Sequence, residues 1–377
     1  MSRRFGLKNL MLVAGGTGGH ILPAIAFGDW VRREKPDVRI SFVSGSRPVE
    51  LEIYRASNIE PFVLDASGSP LGISGLRSLK RWMELPRCFF RTNRLMKRIK
   101  PDLCIMFGGY ISIPALILGR LRGIRSALHE QNALAGRVTR MAARLGVPIA
   151  SGWKKCEPLP SEKHTLTGVP FRHLGRISAN DARHIFGIGG EEIKGPVVSV
   201  MTGSLGSESL VEILAALSSR DIFSSWHFYV TDPGVEKPTK IGNGVTKIPQ
   251  MWDISPFYAI CDLLITRGGA STLAEVEALG KPVVVAPWRG AKDDHQMKNA
   301  LCVSDSEKIR IWDERNDTVQ DLEEKLLSLQ TNFLRKNGDS ENLLYNAGEA
   351  SETSCRRLWD YVIGIFEGEN ECRAQIP

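Results

Sequence analysis

No stretch of this 377-residue chain strings together the roughly 18 apolar residues that a spanning helix requires, so a transmembrane segment is not expected. The apolar run at 11–14 is too short for a signal-peptide core, and none is expected. The seven cysteines (Cys88, Cys104, Cys156, Cys261, Cys302, Cys355, Cys372) form no C-x-x-C and no Cys/His pair at metal-ligand spacing. An odd, scattered set argues against a disulfide framework and for a reducing, cytoplasmic compartment. There is no D-x-D, and the adjacent Asp293 and Asp294 point in different directions, so neither a metal nor another cofactor is expected. No nucleic-acid partner is expected either. Two phosphate-binding signatures are also missing. The glycine turn near the start ends Gly19-His20-Ile21, where a Walker A loop needs Gly-Lys-Ser/Thr. A dinucleotide fingerprint would need a third glycine at Ile21, and an acid where the second strand instead runs into Ser44-Gly45-Ser46.

What the chain does contain is ordinary for a globular protein, 42% hydrophobic and 24% charged residues, at a length that suits two domains. Apolar runs of strand character alternate with helical segments, as in parallel α/β sheets. A first series of strands is expected at 10–14, 40–43, 61–64, 103–107, 126–128 and 147–150. A second is expected at 197–201, 227–230, 245–248, 263–266 and 283–286. Each series opens with strand, glycine turn and helix, which predicts two Rossmann-like α/β domains facing one another. The boundary is placed at Thr167-Gly168-Val169-Pro170, giving domains at 1–170 and 171–348, with a helix at about 349–366 that could return to the first.

In open parallel sheets, ligands bind beyond the carboxyl ends of the strands. Three polar clusters fall there in the first half: Gly15-Gly16-Thr17-Gly18-Gly19-His20, Gly108-Gly109-Tyr110, and His129-Glu130-Gln131-Asn132. Glycines let the backbone approach a ligand, and the following helix start offers N–H groups to an anion. His20 adds an imidazole that can take a proton near neutral pH, which a pure binding loop does not need. A turn that only packs helix on strand, and polar residues that only cap a loop, remain open readings of these clusters alone. In the second half, Arg267-Gly268-Gly269-Ala270-Ser271-Thr272-Leu273-Ala274-Glu275 follows a strand and reads as a diphosphate cradle at a helix start. Glu275, acceptor-only when ionised, suits the two hydroxyls of a ribose, and a capping box is the structural alternative. Gln296, within Asp293-Asp294-His295-Gln296, could bond sugar hydroxyls.

The ordered set of these motifs, with Pro23-Ala24, Gly136, Phe171-Arg172 and Asn299, resembles the MurG family over about residues 9–300. The resemblance implies the GT-B glycosyltransferase fold and an inverting, metal-free transfer of N-acetylglucosamine from its UDP donor to the 4-hydroxyl of the muramoyl sugar of lipid I, giving lipid II. It implies that Thr17, Gly18, Gly19 and Asn132 face the donor sugar, that Arg172, Ser204 and Met251 line the nucleotide, that residues Ala270 to Glu275 take diphosphate and ribose, and that Gln296 takes sugar hydroxyls. His20 is the candidate base, with Arg267, Tyr110, His129 and Glu130 in support of diphosphate and acceptor. At Thr202-Gly203-Ser204-Leu205-Gly206-Ser207, Leu205 stands where the family has glutamine and cannot hydrogen-bond. Val169 stands where asparagine is common. Another glycolipid glycosyltransferase, a UDP-sugar epimerase and a catalytically silent sugar-nucleotide-binding protein are the alternatives.

The net charge of +7 is unevenly spread. Arg77, Lys80, Arg81, Arg87, Arg91, Arg94, Lys97, Arg98 and Lys100 face only Glu84 between 76 and 100, interleaved with Trp82, Leu85, Phe89 and Phe90. That composition suits a peripheral surface on the anionic inner face of the cell membrane, where cell-wall synthesis proteins are the implied company. An ordinary solvated helix face is the alternative.

Overall fold

Runs such as Leu103-Cys104-Ile105-Met106 are apolar on both strand faces, which a sheet satisfies only when helices cover both sides. All four residues are buried. The computed structural model describes residues 6–66, 68, 76–187, 193, 195–203, 206–242, 244–290, 292–333 and 340–374. The chain divides into two compact units, one running to Arg172 and resuming at Ser351, the other spanning His173–Ala350.

The first unit contains β1 (Asn9–Val13), α1 (Gly18–Glu34), β2 (Arg39–Ser44), α2 (Pro48–Ala56), β3 (Phe62–Val63), α3 (Leu76–Ile99), β4 (Leu103–Met106), α4 (Ser112–Leu121), β5 (Arg125–Glu130), α5 (Arg137–Arg144), β6 (Ile149–Ser151) and β7 (Thr165–Leu166). Its strands pair in parallel in the order β3-β2-β1-β4-β5-β6-β7. The second unit contains α6 (Ala179–Ile185), β8 (Val197–Met201), α7 (Glu208–Ser218), β9 (His227–Asp232), β10 (Thr239–Lys240), β11 (Val245–Pro249), α8 (Ser255–Ile260), β12 (Leu263–Thr266), α9 (Ala270–Leu279), β13 (Val283–Val285), α10 (His295–Val303), β14 (Ile309–Ile311) and α11 (Val319–Phe333). Its strand order is β10-β11-β9-β8-β12-β13-β14, with only the β10–β11 pair antiparallel. The long α12 (Ser340–Ala374) starts in the second unit and continues into the first.

Three strands lie outside the sequence expectation: β7, β10 and β14. Each is two or three residues long, too short to carry a period, and β7 and β10 are solvent-exposed edge pieces. Helix α1 starts at Gly18, inside the glycine turn, so Gly18, Gly19 and His20 belong to its first turn. In both sheets the strand order reverses beside the first strand, between β1 and β4 and between β8 and β12. The turns leaving those strands are therefore the topological switch points, where a crevice opens at the sheet's carboxyl edge.

The core of the first unit includes the end of the chain. Cys355, Leu358, Trp359 and Val362 of α12 join the cluster of Leu10, Ala24, Phe27 and Trp30. The Trp30 and Trp359 rings sit 6.2 Å apart, and Tyr361 Oη donates to the Ile149 carbonyl at 3.3 Å. Ser351 Oγ both donates to Phe171 O at 2.7 Å and accepts from Phe171 N at 3.1 Å. Leu358 is fully buried, so Leu358→Ala should destabilise the first unit by about 2–5 kcal/mol through lost transfer energy and the cavity left behind. Urea unfolding followed by tryptophan fluorescence checks this; an unchanged midpoint would mean that the helix contributes nothing to that core.

Candidate active site

At the first switch point the two glycine turns touch. A Cβ on Gly109 would lie 2.2 Å from the carbonyl oxygen of Gly15, and Gly109 has φ +79°, so only glycine fits. Glu50, from the first turn of α2, lies buried behind this contact. Its carboxylate accepts the Gly16 N–H and the Arg47 N–H (3.2 Å), and the Tyr110 hydroxyl is within 3.4 Å of Oε1. Burial raises the Glu50 pKa, against the pull of those backbone donors. Tyr110 Oη also donates to the Ala66 carbonyl. Tyr110 therefore braces the turn, and burial pushes its phenol pKa up.

His20 sits on this pair of turns, half-buried. A Cβ on Gly108 would lie 3.0 Å from its Cε1, so the ring covers the backbone of the neighbouring turn. Its Nδ1 is 2.9 Å from Gln131 Oε1. Its Nε2 makes no hydrogen bond among the described residues. Thr17 is the exposed N-cap residue of α1; its side chain does not cap the helix, and no acid occupies the first turn, which holds Gly18 and Gly19. The N–H groups there and the positive end of the helix dipole are left for a ligand.

The polar run ending β5 is mostly inside the protein. His129 is fully buried, with Nε2 2.8 Å from Gly168 O, and its ring lies 5.5 Å from that of Phe107. Burial lowers its pKa to about 4. Glu130 accepts from Asn132 N (3.0 Å), Asn132 Nδ2 (3.1 Å), Gly136 N (2.9 Å) and Thr139 Oγ1. Its carboxylate thus shapes the 131–136 loop, carries Asn132, and holds the start of α5. Glu50 and Gln131 are the two residues of this centre that the sequence reading did not single out. Gln131 stood within a quoted motif, whereas nothing local marks Glu50.

In the second unit, a Cβ on Gly268 would lie 2.3 Å from the Gln296 carbonyl oxygen. Gln296 Oε1 accepts from Gly268 N (3.0 Å) and Trp288 N (2.9 Å), so the side-chain amino group is what it can offer a sugar hydroxyl. Asn299 Nδ2 donates to Gly268 O at 3.0 Å. Helix α9 begins at Ala270 with Gly269 as N-cap, no side-chain cap and no acid in its first turn. The buried Ser271 Oγ there has no hydrogen-bond partner. These are the features of an anion-binding helix start. Arg267, mostly buried, donates to Ala286 O (3.1 Å), Glu314 Oε1 (2.9 Å) and Ser207 Oγ. Its guanidinium ties the turns after β8, β12 and β13 together.

Glu275 is buried and accepts from Tyr258 Oη at 2.6 Å, which fixes one carboxylate oxygen. Thr272 and Ala274 are half-buried on α9, and Leu273 packs into the core. Met251 is half-buried in the turn after β11, and Arg172 is half-buried at the last residue before the second unit. Ser204 and Leu205 lie outside the described residues. Asp293 and Asp294 both adopt left-handed backbone at the entry to α10. Among the described residues, no three His, Cys, Asp or Glu side chains group as a metal site.

Two Rossmann-type sheets, each with a glycine turn and an uncapped helix start at its switch point, are the architecture of the GT-B class of sugar-nucleotide enzymes. Comparison with known proteins agrees. Residues 10–147 match the glycosyltransferase family 28 N-terminal domain, and residues 197–353 match the family 28 C-terminal domain. Two relatives named UDP-N-acetylglucosamine--N-acetylmuramyl-(pentapeptide) pyrophosphoryl-undecaprenol N-acetylglucosamine transferase are similar. That of Maricaulis maris is 31% identical over 78% of this chain and 80% of its own. That of Desulforudis audaxviator is 30% identical over 78% of this chain and 83% of its own. The crystal structure of Acinetobacter baumannii MurG has the same fold, with TM-score 0.65 and 23% identity over 94% of this chain and 99% of the other. The chain belongs to the MurG family and is a UDP-sugar glycosyltransferase.

The buried His129 predicts a pH effect. Its folded pKa of about 4 lies below the ordinary 6.5, so the folded protein keeps it neutral while the unfolded chain takes up a proton below pH 6.5. Its contribution is therefore complete above pH 6.5 and is lost as pH falls towards 4, by about 3 kcal/mol at 1.4 kcal/mol per unit. Stability measured against pH should fall less steeply across that window in His129→Phe than in the wild type. Equal slopes would show that His129 does not titrate with unfolding.

Proposed function

We propose that the protein transfers N-acetylglucosamine from UDP-N-acetylglucosamine to the 4-hydroxyl of the muramoyl sugar of lipid I, producing lipid II for peptidoglycan, by inversion and without a metal or other cofactor. The observation that carries this reading is His20. An imidazole nitrogen stands open at the switch-point turn of one Rossmann unit, in a chain whose other unit has the uncapped helix start of a diphosphate site.

In this reading His20 Nε2 takes the proton of the acceptor hydroxyl as that oxygen bonds to the anomeric carbon. The bond from that carbon to the diphosphate oxygen breaks, and the charge passes to UDP. The N–H groups of Ala270, Ser271 and Thr272 and the Ser271 hydroxyl stabilise it where it develops. Arg267 acts on the diphosphate by holding Ser207 and the turns around it. Glu275 takes the ribose hydroxyls, and Gln296 takes sugar hydroxyls through its amino group. Thr17, Gly18, Gly19 and Asn132 serve the donor sugar, while Arg172, Ser204 and Met251 serve the nucleotide. Tyr110, His129 and Glu130 support the acceptor side as braces of the turns.

Helix α3 suits a lipid surface. Trp82, Met83 and Phe90 are exposed, while Cys88, Leu95 and Met96 pack inward. A pocket of about 470 Å³ is lined by Asp65, Pro86, Arg87, Phe90 and Arg91, and Arg98 lies over the Phe62 ring at 4.7 Å. Cations around exposed aromatics match an anionic headgroup layer, where each cation contributes about 1 kcal/mol. Among the described residues, no helix is long and apolar enough to cross a membrane. In this reading the enzyme works as a peripheral protein at the cytoplasmic face, beside the cell-wall synthesis proteins that use its product.

UDP release should require a short-chain lipid I analogue; UDP formed without acceptor, together with a rearranged sugar, would indicate an epimerase. His20→Ala should lower turnover by about 10²–10⁴-fold and leave UDP affinity intact, and near-normal turnover would reduce His20 to a packing residue. By calorimetry, Glu275→Ala should weaken UDP binding by about 1.5–3 kcal/mol, the range for hydrogen bonds to a charged group; unchanged affinity would remove the ribose assignment. Changing Arg87, Arg91, Arg94 and Arg98 together to Gln should reduce sedimentation with anionic vesicles and spare activity on a soluble acceptor. Undiminished sedimentation would take α3 out of the membrane contact.

A further inference from the structure

Two backbone carbonyls decide how the imidazole at the first switch point is protonated. The Gly168 carbonyl, 2.8 Å from His129 Nε2, can only accept a hydrogen bond, so His129 carries its proton on Nε2 and presents the Nδ1 lone pair. Burial holds its pKa near 4, so at neutral pH that lone pair stays available. The His129 carbonyl lies 2.9 Å from one end of the Gln131 side-chain amide, and the same end lies 3.1 Å from His129 Nδ1. Two acceptors on one side require the amino group there; the flipped amide would set its oxygen against a carbonyl oxygen and an imidazole lone pair. The Gln131 oxygen is thereby turned towards His20 Nδ1 at 2.9 Å. An amide oxygen accepts, so His20 Nδ1 carries the proton and Nε2 the lone pair.

We infer that Gln131 is a positioning residue that locks His20 in the Nδ1–H tautomer and so delivers the Nε2 lone pair to the reacting hydroxyl. The inference rests on the reading of His20 as the base and says why that base is ready before substrate arrives. An unrestrained imidazole favours the opposite tautomer, with Nε2 already protonated and unable to take a proton. The lock is built of groups that do not change state near neutral pH: two peptide carbonyls, a carboxamide and a buried neutral histidine. Gln131 is almost fully buried, and His129 is held against Phe107. Both ends of the amide are therefore engaged inside the protein, one on His129 and the other on His20.

Nitrogen-15 labelling of the histidines reads the tautomer directly, with His20→Ala and His129→Phe assigning the signals. At a pH where His20 is neutral, the long-range proton–nitrogen pattern of the wild-type protein should show Nδ1–H for His20 and Nε2–H for His129. A His20 ring protonated mainly on Nε2 overturns the inference. Gln131→Met, similar in size but without the amide, should shift His20 towards Nε2–H. It should lower kcat by about tenfold or more, a part of the 10²–10⁴-fold that a general base contributes, with the Kd for UDP unchanged. Gln131→Glu, with its carboxyl protonated so that the O–H replaces the amino group towards the His129 carbonyl, keeps an acceptor for Nδ1–H and should retain the tautomer and recover turnover above the methionine variant. Equal turnover in the methionine and glutamate variants, or wild-type turnover in Gln131→Met, contradicts the positioning role. The base assignment fails separately, through normal turnover in His20→Ala, whatever the tautomer spectrum shows.

Discussion

The Gly15 carbonyl lies against the Cα of Gly109, and no side chain fits between the two turns. The centre of the first unit depends on that contact. Strands β1 and β4 are neighbours, and their connections leave in opposite directions, so their turns define the switch point. With glycine on both sides, the turns close to backbone distance and His20, in the first turn of α1, covers Gly108. A larger residue at 109 would clash with the Gly15 carbonyl and carry the imidazole away from Gln131. Glu50 completes the arrangement from behind by taking the Gly16 N–H, and Tyr110 ties the second turn to the strand edge at Ala66.

The second unit uses the same topology for a different purpose. Its turn after β12 is held by Gln296, Asn299 and Arg267, all of which bond to backbone or to neighbouring turns. What remains open is the start of α9, with its N–H groups and the unpartnered Ser271 hydroxyl. One switch point thus offers a proton acceptor and the other offers fixed positive charge. Sugar transfer from a nucleotide needs both, because the acceptor hydroxyl loses a proton as the diphosphate gains charge.

Much of this was legible in the sequence because the informative features are local. Continuous apolar strands such as 103–106 and 263–266, and the glycine turns that follow them, identify parallel α/β units without reference to the rest of the chain. The edge strands β7, β10 and β14 escaped because two or three residues carry no period. The helix start at Gly18 escaped because glycine has low helix propensity, which the helix that follows overrides here. Partners distant in sequence were the least legible: Glu50 meets Gly16 across 34 residues, and His20 meets Gln131 across 111. The polar run 129–132 was visible as chemistry, but its division of labour was not. His129 and Glu130 bind the backbone and the loop, and Gln131 alone reaches the imidazole.

His20 as the proposed base, with no side-chain nucleophile proposed beside it, implies one direct displacement at the anomeric carbon. The most direct test is the anomeric configuration of the N-acetylglucosamine residue in the product formed from the α-linked UDP donor and a lipid I analogue, read from the proton coupling at that carbon. The account predicts the β configuration throughout. A product retaining the α configuration would contradict direct in-line displacement by a hydroxyl deprotonated at His20.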